Sequence, residues 1–124
     1  MKNYKDLKDS LNKIREAIDT DIIDVDIDQQ KNKLIALTQL IGLSAECNAS
    51  AKKMLYQKEL EVLQKLDHVA SPTRINKELS AQCYEEKAIL EYADRLNAGM
   101  VHAIDSIRSI ISLYKVELEN SLKS

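Results

Sequence analysis

The pattern of apolar positions divides the chain into helical stretches of unequal length. Ala93, Leu96, Met100, Ile104, Ile107, Ile111, Tyr114, Leu118 and Leu122 recur every three or four residues, so they share one face of a helix. Upstream, Tyr4, Leu7, Leu11, Ile14 and Ile18 repeat the same spacing over four turns. Between these lies a third series, Leu34, Leu37, Ile41, Ala45, Asn48, Ala51, Leu55, Val62 and Leu66, whose middle is small or polar. Ile23, Val25 and Ile27 alternate instead with aspartates, but six residues with no partner strand read better as an extended connector. Asp26 or Asp28 at its end is placed to cap the next helix, since a carboxylate accepts from the exposed backbone N–H groups.

Punctuation is sparse. Ser71-Pro72 is the one strong helix start, with a hydroxyl cap followed by a residue that needs no N–H in the first turn. The expected layout is a short helix over 1–18, a connector over 19–28, and long helices over 29–70 and 72–121. Gly42 and the stretch around Gly99 mark expected bends. The fold class is all-α: a long antiparallel, coiled-coil-like hairpin with a short N-terminal helix.

Two helices of forty-odd residues cannot make a compact sphere, and the final stripe is longer than one hairpin partner can cover. Ile35, Leu43, Met54, Leu60, Leu63, Ile89, Val101, Ile110 and Leu113 lie off the main stripes and widen the apolar faces further. A homo-oligomer is therefore expected. Its interface is expected on Ala93, Leu96, Met100, Ile104, Ile107, Ile111, Tyr114 and Leu118.

Composition narrows the function more by exclusion than by assignment. The 124 residues fit a single domain; with 44% hydrophobic residues but no Trp or Phe, the core is aliphatic. The net charge of −2 gives no bulk signature of a basic nucleic-acid binder. The Met-Lys-Asn-Tyr-Lys-Asp start lacks a signal-peptide core and no apolar run approaches ~20 residues, so a cytoplasmic location away from membranes is expected.

No enzyme or cofactor chemistry emerges from the motifs. Asp24-Val-Asp-Ile-Asp28 opens like a calcium loop, but Gln29 and Ile35 stand where such a loop needs Gly and Glu. No Glu-x-x-His supports a carboxylate metal site, and two distant glycines cannot form a phosphate loop. His68 suits a helix C-terminus, and His102 has no nucleophile beside it. Cys47 and Cys83 belong to no ligand motif and read as buried thiols, or as a disulfide if their helices cross closely.

One surface pattern suggests binding. Lys52, Lys53, Tyr56 and Lys58 form a basic and aromatic cluster, continued by Arg74 and Lys77 at the turn. Lysines beside a tyrosine can follow a single-stranded backbone and stack a base.

Met54-Leu-Tyr-Gln-Lys58 and Gly99-Met-Val-His-Ala-Ile-Asp-Ser106 resemble segments of the UvsY-type recombination mediators of tailed phages. The resemblance covers about a fifth of the chain. It implies an oligomeric helical accessory protein of a phage or mobile element, acting in a bacterial host cell. Such a protein binds single-stranded DNA, works with recombination or replication proteins, and would use Lys58 with Lys52 and Lys53. The competing expectation is a protein-binding or ligand-sequestering helical module, an inhibitor or adaptor.

Overall fold

The computed structural model describes residues 3–21, 26–66 and 70–123. Its elements are all α-helices: α1 (Tyr4–Asp19), α2 (Ile27–Gln39), α3 (Ile41–Lys65), α4 (Pro72–Gln82) and α5 (Tyr84–Lys123). Most of the alternating Ile/Asp segment, including Ile23, Asp24 and Val25, lies outside the described residues, as does His68.

Local capping fixes several ends. The Asn3 side chain accepts from the Asp6 N–H at 2.8 Å to start α1, and Asp26 does the same for Gln29 at 3.0 Å to start α2. Ser71 accepts from Arg74 N–H at 3.2 Å, with Pro72 at the head of α4. The C-terminus of α1 is closed from outside: Lys33 of α2 donates to the carbonyls of Ile18 (2.7 Å) and Thr20 (2.9 Å).

Both expected long helices are divided. The 29–70 helix bends at Leu40, two residues before the glycine expected to mark the bend. There the Leu40 N–H turns to the Leu37 carbonyl at 3.0 Å, and Thr38 Oγ1 bonds back to the Leu34 carbonyl at 2.7 Å, a contact that commonly bends helices. The bend changes the phase of the apolar face. Ser44 and Cys47 turn inward in place of Ile41 and Ala45, which lie exposed, and the expected face is regained at Ala51. The 72–121 helix is divided at Cys83, whose torsions (φ −101°, ψ 15°) leave the helical well. Its N–H still reaches Leu79 and its carbonyl still accepts from Lys87, so the path turns without losing the hydrogen-bond ladder. The expected kink at Gly99 is absent, and α5 is helical throughout.

α5 is the axis of the fold. Its residues Ile89, Ala93, Leu96, Met100, Ile104, Ile107 and Ile111 form one core with Leu7, Leu11 and Ile14 of α1, Leu37 of α2, and Cys47 and Ala51 of α3. A Cβ on Gly99 would meet Ile18 at 3.9 Å, and Tyr4 lies near Tyr84 to Tyr92, so α1 and α5 run the same way. Ser44 Oγ donates to Asn97 Oδ1 at 2.9 Å, whereas Lys58 and Glu61 share a cleft with Glu85 and Glu86. Sequence number thus rises along α3 as it falls along α5.

The stripe expected to be an oligomer seam needs correcting on this point. Ala93, Leu96, Met100, Ile104, Ile107 and Ile111 are 1–9% exposed, covered by helices of their own chain. Only Tyr114 and Leu118 of that set remain open, at 44% and 50%. Periodicity marks a face that must be covered, and here the intrachain helices cover it as far as Ile111.

Gly42 sits in the first turn of α3, its φ is not positive, and an added Cβ there would meet nothing within 4 Å. Gly42→Ala should raise the urea midpoint, by about 0.5–1 kcal/mol of stability, through lower unfolded-chain entropy and better helix propensity. A loss of stability would show that the Leu40 bend depends on the glycine.

Candidate ligand-binding trough

The surface cluster expected to bind nucleic acid is not brought together as one site. Lys52, Lys53 and Tyr56 are exposed on the outer face of α3, with Tyr56 68% exposed. Ala45, Ala49, Leu60 and Leu63 lie along the same face, an apolar setting for the two lysines. Lys58 turns the other way. It stands 3.9 Å from Glu61 in a cleft of about 440 Å³ that Glu85 and Glu86 also line, so the cleft carries three carboxylates against one ammonium. Such a setting repels phosphate. Arg74 and Lys77 are exposed on α4, where Lys77 edges a shallow groove with Thr73, Asn76 and Ser80.

A better-formed site lies between α1 and the first turns of α5. Leu7, Leu11 and Ile14 pin α1 to the core, and this sets the neighbouring face of α1 over α5. Tyr4, Lys8, Asn12 and Arg15 follow one another at helical spacing along that face. From α5 come Tyr84, Ala88 and Tyr92, also at helical spacing, with Glu85 and Ile89 beside them. Together they enclose a trough of about 550 Å³, within the size range of small-ligand sites.

Its chemistry is specific. Three tyrosines line it, and two cations stand against one carboxylate. Lys8 Nζ lies 4.7 Å from the centre of the Tyr4 ring, a cation–π distance that holds both side chains in place. The Tyr92 hydroxyl is buried with no hydrogen-bond partner in the protein, a state that costs about 1–3 kcal/mol if no other group satisfies it. Flat aromatic walls with flanking positive charge suit a ligand that carries both rings and negative charge. In the sequence Tyr4 belongs to the apolar stripe of α1, and nothing there ties it to Tyr84 or Tyr92, eighty residues away. The repeated spacing Tyr4, Lys8 and Tyr84, Ala88, Tyr92 was the available signal.

The cysteines take no part in the trough. Cys47 and Cys83 are free and buried. Burial, then the nearby Glu46 charge, pushes the Cys47 thiol up to about 11, and burial with Glu59 and Glu86 raises Cys83. Above pH 9 the unfolded Cys47 releases its proton while the folded one keeps it, so stability should fall between pH 9 and about 11. Urea midpoints across that window should decline less steeply in Cys47→Ala than in the unaltered protein.

Among the described residues no group of His, Cys, Asp and Glu is placed to hold a metal ion, and no helix is long and apolar enough to cross a membrane. The two strings that resemble UvsY-type mediators lie at different levels of the bundle, Met54 to Lys58 by Glu85 and Gly99 to Ser106 by Ile18. Set against protein-family models, curated proteins and solved structures, the chain has no significant match, so the trough's own geometry carries the functional reading.

Proposed function

We propose that this protein is a non-enzymatic helical accessory protein that binds single-stranded DNA in the trough between α1 and α5. The carrying observation is the convergence of Tyr4, Tyr84 and Tyr92 with Lys8 and Arg15 on one concave surface. Unstacked bases pack on tyrosine faces whatever their identity, and the cations follow the phosphates. Duplex DNA keeps its ring faces stacked inside and cannot use the tyrosines. A likeness to UvsY-type mediators would add self-association, a recombination or replication partner and a phage or mobile-element setting in a bacterial cytoplasm, but the lysines it points to, Lys52, Lys53 and Lys58, lie outside the trough.

The test is fluorescence anisotropy of a labelled single-stranded oligonucleotide at low salt. Binding should weaken steeply as salt rises, and an equal-length duplex should bind much less. No binding at low salt, or equal binding of the duplex, overturns the reading.

A second reading has its own observation. The outer face of α3 exposes Ile41, Tyr56, Leu60 and Leu63 at 44–68%, an apolar face of the kind that docks a protein helix. On that reading the protein is an adaptor or inhibitor. Recovery of one stoichiometric protein, lost on Leu60→Glu and unaffected by changes in the trough, would favour it.

A further inference from the structure

We infer that the C-terminal turns of α5 beyond Ile111 are a self-association arm, pairing antiparallel with the same turns of a second copy. Every described residue from Ser112 onward is exposed. Five of them are large apolar side chains: Leu113 (60%), Tyr114 (44%), Val116 (51%), Leu118 (50%) and Leu122 (80%). Tyr114, Leu118 and Leu122 continue the stripe that is buried up to Ile111, so the face that seals the core runs on past the last helix able to cover it.

Surface area says how much is left uncovered. The chain exposes 8701 Å² for a mass of 14.1 kDa. A compact monomer of that mass exposes about 6,700 Å², so roughly 2,000 Å² is in excess. A standard dimer removes about 800 Å² from each partner. The overhang is twelve residues, about 18 Å, and a helix that short has little stability without packing.

Charge placement selects a second copy and the antiparallel direction. Centring the pair on Leu118 sets Leu118 against its own copy and Tyr114 against Leu122 of the other chain. Lys115 and Glu119 flank the same edge of the stripe, and neither closes an ion pair within its own helix. Antiparallel pairing brings Lys115 of each copy to Glu119 of the other, twice by symmetry. A parallel pair would put the two Lys115–Glu119 edges on opposite sides of the seam and forfeit both contacts.

The inference takes up the self-association in the proposed function and is independent of DNA binding, since the arm lies about thirty residues along α5 from the trough. Sedimentation equilibrium of the full chain across the micromolar range should give the mass of two chains. Leu118→Glu should weaken pairing by about 100-fold and give one chain, with the thermal midpoint of the core and oligonucleotide affinity per chain unchanged and helix content lowered by no more than the arm itself. Lys115→Glu should weaken pairing roughly five-fold, and adding Glu119→Lys should restore it. A single-chain mass for the unaltered protein, a mass above two chains, or a Leu118→Glu variant that still pairs overturns the inference. Failure of the charge swap to restore pairing overturns the antiparallel register. Loss of DNA binding with pairing intact would sink the proposed function alone.

Discussion

Reversing Lys8 and Arg15 to glutamate should abolish oligonucleotide binding under conditions where the unaltered chain binds. Both side chains are exposed on α1, away from the buried Leu7, Leu11 and Ile14, so the fold should persist and the helix signal should not change. A charge-assisted contact contributes about 1.5–3 kcal/mol. Losing two and replacing attraction by repulsion predicts a weakening on the order of 100-fold or more. The salt dependence gives a second, sharper readout. Each phosphate contact on a single strand contributes about 0.7 to the slope of log K against log salt, so the double variant should flatten it by about 1.4. Replacing Tyr84 with Ala should act differently: a loss of about 1–3 kcal/mol with the slope retained, because a ring contributes stacking and no charge. Charge reversal at Lys52 and Lys53 should have little effect, and a collapse of binding there would return the site to the outer face of α3.

Leu7→Ala should produce the largest loss of stability. Leu7 is 0% exposed in the core that α1 shares with the other helices. Truncating a buried leucine costs about 2–5 kcal/mol, combining lost transfer energy with an unfilled cavity. Small domains hold only about 5–15 kcal/mol in total, so the thermal midpoint should drop by on the order of 10 °C. The effect reaches the trough as well. α1 forms one wall of it and is held by three buried side chains, by the partly buried Ala17 and Ile18, and by the Lys33 contacts at its C-terminus. Oligonucleotide affinity should therefore weaken in Leu7→Ala even well below its melting midpoint. Thermal melts and anisotropy on the same sample check both parts, and an unchanged midpoint would show that α1 contributes little to the core.

What could be read in advance divides along a physical line. Ser71-Pro72 and a cap at Asp26 or Asp28 were legible because capping is a contact over three residues, and the fold selects Asp26 of the two. The single face of Leu7, Leu11 and Ile14 was legible by periodicity. The bends at Leu40 and Cys83 were not, since neither carries a Gly or Pro. One depends on a threonine hydroxyl reaching back a turn, and the other on a single residue's torsions. Periodicity marks Ala93 to Ile111 as a face to be covered, but it cannot say whether the cover comes from the same chain, and the oligomer interface expected there gives way to intrachain packing as far as Ile111. The trough escaped for a similar reason: α1 and α5 contribute its walls from opposite ends of the chain, and only their parallel packing makes Tyr4 a neighbour of Tyr84. Lys58 shows the converse, a lysine that looks available in sequence and is placed among carboxylates by the fold.

The unbroken course of α5 has a mechanical consequence. Forty residues of helix make a rod of about 60 Å, with one wall of the trough at its head and bare apolar turns at its foot. Two such rods joined foot to foot hold their heads roughly 90 Å apart, pointing away from each other. A short oligonucleotide would meet two independent sites and fill them one by one. A strand long enough to span the gap, or two strands brought side by side, would engage both heads at once and gain from the fixed spacing. On the proposed function and pairing, the helix would act as a ruler, and its length would select for long or paired strands without any further contact to DNA.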